Sequence, residues 1–360
     1  MVDQRIEELA RIIVHWSMKI NKGDVITISS EIEARPLLLE LTKLILKKGA
    51  LPKINLGLDG YAYTFYKYAS LDQLATPPKI ALFEAENSAG NISIGVDNNT
   101  RELSNIDPAK MALRRKTVYP VSKIIVDRDN WCYTLFPTHA LAQDAEMSLN
   151  EFEDFYYNAV LVDYKKLEAQ QKKIKKIYDA SSSVHIVAKD TDLRFSIKGR
   201  EGIMCVGKRN LPDGEVFLAP VEDSVEGYIS YSFPAIYSGR EVDGVRLEFK
   251  KGKVVKASAT KNQDLLLKLI DTDAGSRFLG EFAIGLNNNI KKHSKQILFD
   301  EKMGGTIHLA LGMAYKKGGG RNESALHWDM IKDMRPAASG GKIFFDDKLV
   351  YQDGKFVVKI

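Results

Sequence analysis

Asp24-Val-Ile-Thr-Ile-Ser29 decides the fold of the first half of the chain, because its apolar, β-branched run is typical of a short buried strand. Pro36 then opens a helix that we expect to run to about Lys48, with Gly49 as its C-terminal stop. Lys53-Ile-Asn-Leu-Gly57 is the next predicted strand. The order strand, helix, strand is typical of a parallel sheet with crossover helices.

The same alternation extends on both sides of this unit. Apolar residues at helical spacing in residues 4–20 predict a first helix, and further strands are expected at 91–95 and directly before Asp127. One or two helices are predicted over residues 149–178, and Ser181-Ser-Ser183 then interrupts the pattern. We therefore expect residues 1–182 to form an α/β N-terminal domain with a largely parallel sheet.

Residues 183–360 have a different pattern, made of short alternating segments bounded by turn residues. The predicted strands lie at residues 184–188, 193–197, 216–219, 244–249, 253–259 and 306–313. Lys251-Gly252-Lys253 and Asp353-Gly354 are typical of hairpin turns, and residues 264–270 of a short helix. We expect a β-rich α+β C-terminal domain, which would carry the catalytic site.

Composition excludes several classes of function. The chain has 52 basic and 47 acidic residues, a net charge of +5, which is too small an excess to indicate a nucleic-acid partner. No stretch approaches the ~20 apolar residues that a membrane span needs, and the N-terminus lacks the apolar core of a signal peptide.

Two widely separated cysteines, Cys132 and Cys205, favour a reducing cytoplasm. The lysine-rich run 165–176 is interpreted as a solvated helix face.

Two glutamates open apolar strand-like segments in the second half. Glu215 follows the turn Pro212-Asp213-Gly214, and Glu281 follows Gly280. A carboxylate in this position is often a solvated end residue. Each is nevertheless a candidate metal ligand, because other candidate ligands lie in neighbouring segments.

His308 is a candidate ligand because strand alternation puts it on a face with Ala310, Gly312 and Ala314, whose small side chains leave room beside an imidazole. His327 and Asp329 are two residues apart, so on a strand both side chains point the same way. The five candidates supply oxygen and nitrogen ligands. Such a set suits one or two divalent ions rather than a thiolate-bound structural zinc.

Taken together, these segments resemble the thermophilic aminopeptidase T family, the metal-dependent M29 aminopeptidases. The order and local spacing of the matching stretches agree across the second half, while the first half agrees in pattern more than in motif. The matching stretches are Thr191-Asp-Leu-Arg-Phe-Ser-Ile-Lys-Gly-Arg200, residues 210–220, Glu222-Asp-Ser-Val-Glu-Gly227, Gly280-Glu281, Leu298-Phe-Asp-Glu301, Ile307-His-Leu-Ala-Leu-Gly-Met-Ala-Tyr315 and Ser324-Ala-Leu-His-Trp-Asp-Met-Ile331.

The resemblance implies a homodimeric exopeptidase that uses two divalent ions per chain, zinc, cobalt or manganese, on short peptides with a free N-terminus. Its metal ligands carry over to residues of this sequence, namely Glu215, Glu281, His308, His327 and Asp329. Glu281 is the expected bridge between the ions, and Glu281 or Glu215 the expected proton shuttle. Tyr315 matches an active-site tyrosine of the family. It lies seven residues after His308, so we expect a bulge at Gly312 to bring it to the same side.

Glu301 is a further candidate ligand whose assignment stays open. The family has fewer residues between this glutamate and the ligand histidine, whereas here residues 302–307 intervene and include Gly304-Gly305. The stretch between His308 and His327 is also short and contains the glycine-rich segment Lys316-Lys-Gly-Gly-Gly320, which leaves the substrate-side contacts open.

Other classes of function find less support in the sequence. No G-x-G-x-x-G or G-x-x-x-x-G-K-[ST] motif opens a helix after the first strands, which argues against a nucleotide-binding enzyme. No G-x-S-x-G or cysteine–histidine signature supports a covalent nucleophile. A non-catalytic binding protein with a degenerate metal site is the main alternative. It predicts the loss of at least one ligand, and none of the five is missing.

Overall fold

The structure is a computed structural model that describes residues 3–360. The chain folds into two compact units. The first runs to Leu161 and also takes residues Gly207–Pro212, and the second comprises Val162–Val206 and Asp213–Ile360. The expected domain boundary at residue 182 stays a prediction. Among the described residues, no helix has the length and apolar character needed to cross a membrane.

The first unit is a parallel sheet with crossover helices, as predicted. Its strands are β1 (Val25–Ser30), β2 (Leu51–Leu56), β3 (Gly90–Gly95), β4 (Trp131–Leu135) and β8 (Asn210–Leu211). They lie in the order β2-β1-β3-β4-β8, and every neighbouring pair is parallel. The helices are α1 (Gln4–Ile12), α2 (Arg35–Lys47), α3 (Tyr61–Tyr68), α4 (Leu71–Ala75), α5 (Lys79–Asn87), α6 (Pro108–Arg128), α7 (His139–Asp144) and α8 (Leu149–Val160).

Two local predictions in this unit were inaccurate. The strand expected before Asp127 is instead the last part of α6, and the strand β4 comes after it. Asp107 caps α6 by accepting a hydrogen bond from the Ala109 backbone, and Asp129 ends it at a φ of 58°. The apolar run 124–126 is too short for periodicity to separate strand from helix. The first helix is also shorter than expected, because it changes to a π-helical turn over Ile13–Ser17.

The second unit is built from antiparallel sheets, which confirms the expected β-rich domain. Its helices are α9 (Tyr164–Ala180), α10 (Gln263–Ile270) and α11 (Ile297–Asp300). The eight-stranded sheet has the order β14-β13-β10-β6-β5-β18-β19-β20. Its strands are β5 (Ser183–Ala188), β6 (Thr191–Ser196), β10 (Glu226–Ser230), β13 (Arg246–Lys250), β14 (Lys253–Ser258), β18 (Gly341–Phe345), β19 (Lys348–Gln352) and β20 (Lys355–Phe356). A separate hairpin pairs β11 (Ala235–Tyr237) with β12 (Arg240–Val242).

A five-stranded sheet, hereafter the central sheet, forms the most buried part of this unit. Its order is β17-β16-β15-β9-β7. The strands are β7 (Ile203–Cys205), β9 (Glu215–Leu218), β15 (Leu279–Gly285), β16 (Thr306–Gly312) and β17 (His327–Asp333). Every residue of β15 and β16 is buried, including the polar ones. Aromatic side chains cover part of it, since the Phe282 ring stacks on Tyr178 and meets Phe195 edge-on.

Candidate metal centre

Four neighbouring strands of the central sheet bring the predicted ligands together. In the register of these strands Ala310 lies opposite both Glu281 and Asp329, and His308 lies two residues before Ala310 on the same face. His327 lies opposite Gly312 on β17. Glu215 lies at the start of β9, which pairs with β15 on the side away from β16. Adjacent antiparallel strands therefore place side chains on one face of the sheet although they are far apart in sequence.

His308 lies at the centre of this group and is completely buried. Its Nε2 atom is 3.3 Å from Glu215 Oε2, 3.3 Å from Glu281 Oε1 and 3.9 Å from Asp329 Oδ1. Ala310 and Gly312 follow His308 at alternate positions of the same strand. One histidine thus faces carboxylates from three other strands.

His327 completes the group at its more open end. Its Nε2 atom is 3.5 Å from Asp329 Oδ2 and 3.8 Å from Glu281 Oε2. Its Nδ1 lies 2.9 Å from the carbonyl oxygen of Met313, so this nitrogen carries the proton and donates to that oxygen. A ring held in this way points its Nε2 atom toward the carboxylates, which is the usual arrangement of a metal-binding histidine.

Glu301 also reaches the group, at the residue that follows α11. One ligand atom each of Glu301, His308 and Asp329 lie within 4.8 Å of one another. The same holds for Glu215, Glu281 and His308. Five candidate ligands therefore form two overlapping triplets that share His308, and the sixth, His327, lies near Glu281 and Asp329.

Lys302 is the residue that the sequence analysis missed. Its buried ammonium group lies 2.5 Å from Glu215 Oε1 and 2.6 Å from Glu301 Oε1. Buried lysines are rare unless paired, but a lysine directly after a candidate ligand gives no pattern that separates it from a surface lysine. Tyr231 is a second such residue, since its buried hydroxyl has no hydrogen-bond partner among the described residues and Asp329 helps to raise its pKa.

The electrostatics of the group follow from burial and mutual contact. Burial raises the pKa of Glu215 to about 7, although Lys302 and His308 oppose the rise. Burial alone would lower the pKa of His308, but the carboxylates led by Glu215 outweigh it and raise that pKa to about 10. Burial would likewise raise the pKa of Glu281, but the hydrogen bond from His308 and the charge of His327 outweigh it and leave the pKa below its usual value.

The donor set fits divalent ions. Glu215 Oε2 and Asp329 Oδ1 are buried and have no hydrogen-bond partner among the described residues. Buried polar atoms are normally satisfied, and a carboxylate oxygen without a donor costs free energy unless it binds a cation. Carboxylate oxygens and imidazole nitrogens converge here, with no thiolate in either triplet, and this mixture suits zinc, cobalt or manganese.

Tyr315 lies at the rim of the same group. The strand β16 ends at Gly312, whose φ of 99° turns the chain, while the bulge lies in the facing strand between Leu279 and Glu281. The ring centroid of Tyr315 is 5.4 Å from His327 and 5.7 Å from Phe217, and the residue is 47% exposed. Its side chain is therefore outside the apolar layer of Leu309 and Leu311. Burial of the hydroxyl, with Glu281 and Asp329 nearby, raises the pKa of Tyr315 well above its usual value.

A buried sheet that collects carboxylates and histidines in this way is suited to bind divalent metal ions. The sequence model of the thermophilic metalloproteases (M29) matches residues 2–356. The chain belongs to this family, and it is an enzyme that depends on divalent metal.

Curated relatives and a solved structure agree with this assignment. Aminopeptidase 2 of Geobacillus stearothermophilus is 28% identical over 357 residues, which cover 87% of this chain and 84% of that protein. Aminopeptidase T of Thermus aquaticus is 37% identical over 150 residues, 37% of this chain and 35% of that protein. The structure of wild-type AmpT from Thermus thermophilus superposes with a TM-score of 0.85 at 22% identity and covers 99% of both chains. That likeness shows that the fold is the same.

Proposed function

We propose that this chain is an aminopeptidase that releases N-terminal residues from short peptides with two divalent ions bound in the group described above. The observation that carries the proposal is the pair of overlapping triplets around His308. The curated relatives that match most of the chain are named aminopeptidases, which supports this choice of substrate within the metalloproteases.

Six residues would hold the ions, with Nε2 of His308 as a ligand of one ion only and Glu281 as the expected bridge. These ligands are Glu215, Glu281, Glu301, His308, His327 and Asp329. Bound ions would act as Lewis acids that polarise the scissile carbonyl and lower the pKa of the attacking water. Zinc, cobalt and manganese all accept such a set of ligands.

The chain's own groups would provide the proton transfer. Glu281 and Glu215 each have an oxygen 3.3 Å from Nε2 of His308, and a carboxylate there can accept the proton of the attacking water and return it to the leaving amine. The Tyr315 hydroxyl would donate a hydrogen bond to the oxyanion that forms on the carbonyl carbon. A tyrosine hydroxyl is protonated at neutral pH and can therefore donate. The free amine of the substrate would bind to a carboxylate or an ion, which explains the preference for an N-terminal residue.

The proposed setting is a homodimer in the cytoplasm. Cys132 and Cys205, both within the described residues, form no disulfide, which supports a reducing compartment. In the first unit, α3 and α6 contain no buried residue, and Ile80 and Phe83 on α5 are exposed. An apolar surface of this kind is typical of an interface. Light scattering at several concentrations tests the dimer, and a monomer throughout would contradict it.

Hydrolysis of aminoacyl-arylamides by the purified chain tests the activity. We expect no release of arylamine after treatment with a chelator, and recovery when Zn²⁺, Co²⁺ or Mn²⁺ is added. Arylamine release that is equal with and without metal would contradict the proposal, as would no release under any metal condition.

A further inference from the structure

A second group of potential metal ligands adjoins the candidate centre. It consists of Cys205, Asp213 and Glu215, whose ligand atoms lie within 4.8 Å of one another. Glu215 belongs to both groups, because its Oε2 atom faces His308 while its Oε1 atom faces the other way, toward Lys302. Two different cation environments therefore meet at one carboxylate.

The ammonium group of Lys302 already lies in this second environment. It is 2.5 Å from Glu215 Oε1 and 3.9 Å from Asp213 Oδ1, and the side chain is 2% exposed. It also contacts Glu301 Oε1 at 2.6 Å. The lysine therefore holds one oxygen each of Glu215 and Glu301, and both of these glutamates belong to triplets that contain His308.

We propose that Lys302 is a built-in cation that occupies the corner formed by Cys205, Asp213 and Glu215 and confines divalent ions to the His308 side of Glu215. The inference rests on metal binding by the proposed centre and adds a residue that controls where the metal binds. A divalent ion beside Asp213 would meet the positive charge of Lys302, which is tethered and cannot leave. With Oε1 of Glu215 engaged, this ligand offers the ions only Oε2.

The chemical consequence is that the sulfur of Cys205 does not become a ligand of the ions. A thiolate is a soft ligand that would favour ions such as Zn²⁺ over Mn²⁺. With Lys302 in place, the ions have only oxygen and nitrogen ligands, which leaves them exchangeable and available to a substrate. Lys302 is on this account a positioning residue, since it acts through Glu215 and Glu301 and not on the substrate.

Cobalt titration of a Lys302→Met variant tests the proposal. The methionine keeps an unbranched chain but removes the charge. After metal removal, the variant should bind about one Co²⁺ per chain more than the wild type. The additional ion should produce a thiolate-to-cobalt charge-transfer band, because binding deprotonates the Cys205 thiol. The band should vanish in the Lys302→Met/Cys205→Ser double variant.

Lys332→Met is the matched control. Lys332 is a buried lysine of the same unit, on β17, and its ammonium group donates to the carbonyl oxygen of Lys189 instead of a candidate ligand. This variant should bind the same number of Co²⁺ ions as the wild type and should show no sulfur band. An extra ion in Lys332→Met would mean that the effect comes from general loosening of the unit, which overturns the proposal.

If Lys302→Met does not fold, measurements on the wild type and on Cys205→Ser still test the proposal. The wild type saturated with Co²⁺ should show no sulfur band, and Cys205→Ser should bind as many Co²⁺ ions as the wild type. A sulfur band in the wild type, or the loss of an ion in Cys205→Ser, would overturn the role of Lys302. A folded Lys302→Met variant that binds the same number of Co²⁺ ions as the wild type and shows no sulfur band would also overturn this role. If the wild type binds Co²⁺ and hydrolyses arylamides while one of these results is obtained, only this inference fails. A wild type that binds no metal contradicts both this inference and the proposed function.

Discussion

His308 shows at the scale of one residue how burial and charge work together. Its ring is fully buried among carboxylates from three strands, and these carboxylates raise its pKa despite the burial. The sequence predicted this residue from the small side chains beside it on the strand. It could not predict Lys302, because the partners of a buried lysine come from distant segments, here from Glu215, which is 87 residues away.

Removal of a candidate ligand should reduce metal content together with activity. We expect His308→Ala and Asp329→Ala to lower metal affinity by more than the ~10–100-fold that the loss of a supporting outer residue costs. His185→Ala is the control, because His185 lies in the same unit but pairs with Asp192 on the eight-stranded sheet. Elemental analysis and arylamide turnover provide the two measurements. Full activity in either ligand variant would contradict the assignment.

Tyr315 should act on the transition state without holding the metal. Tyr315→Phe removes the hydroxyl but keeps the ring beside His327, so metal content and KM should stay close to the wild-type values. We expect kcat to fall roughly 10–1,000-fold, as for the loss of an oxyanion donor. Tyr228→Phe on β10 is the control and should retain its kcat. If Tyr315→Phe loses metal instead, the tyrosine has a structural role.

At the scale of elements, the pairing of strands brings the candidate ligands together. The alternation of residues 306–313 predicted which face His308 shares, and the pairing of β15, β16 and β17 then put Glu281 and Asp329 beside it. Periodicity cannot reveal which strands pair, so the sequence predicted candidate ligands but not their distances. It also placed the bulge at Gly312, whereas the register shifts in the facing strand next to Gly280. Gly280 allows a close approach there, because a side chain at this position would collide with the carbonyl oxygen of Met313.

The turn at Gly312 should be essential for the rim of the site. Its φ is 99°, and a Cβ there would collide with the carbonyl oxygen of Leu326, so Gly312→Ala should displace Tyr315 and His327 together. Gly199→Ala is the control, with a φ of 73° and open space around the new methyl group. The control should lose only about 1 kcal/mol of stability and keep its activity. Equal losses of activity in the two variants would show that steric contact at Gly312 does not matter.

At the scale of the whole molecule, the chain separates into a parallel α/β unit and a β-rich unit, and the fold class of each was predictable from its periodicity. The exact limits were not. The segment Gly207–Pro212 returns to the first unit to add β8 to its sheet, and α9 groups with the second. A strand of two residues carries no periodic signal, so sequence alone could not reveal this exchange.

Metal removal should destabilise the second unit. Ions bound only by the folded chain stabilise it by about 2.7 kcal/mol at a concentration of 100 times Kd. Their loss also leaves the buried oxygens of Glu215 and Asp329 without a cation. We therefore expect the melting temperature of the chelated protein to fall and to recover with Zn²⁺ or Co²⁺. His308→Ala should show no such recovery, and a melting temperature that is independent of metal would argue against ions in this unit.

The most direct test of the central claim is the release of N-terminal residues from a matched pair of short peptides, one free and one N-acetylated, followed by mass spectrometry. The metal-reconstituted protein should shorten the free peptide from its N-terminus one residue at a time and leave the acetylated peptide intact. The chelated protein should cleave neither. Equal cleavage of both peptides, or cleavage that persists without metal, would contradict the assignment of this chain as a metal-dependent aminopeptidase.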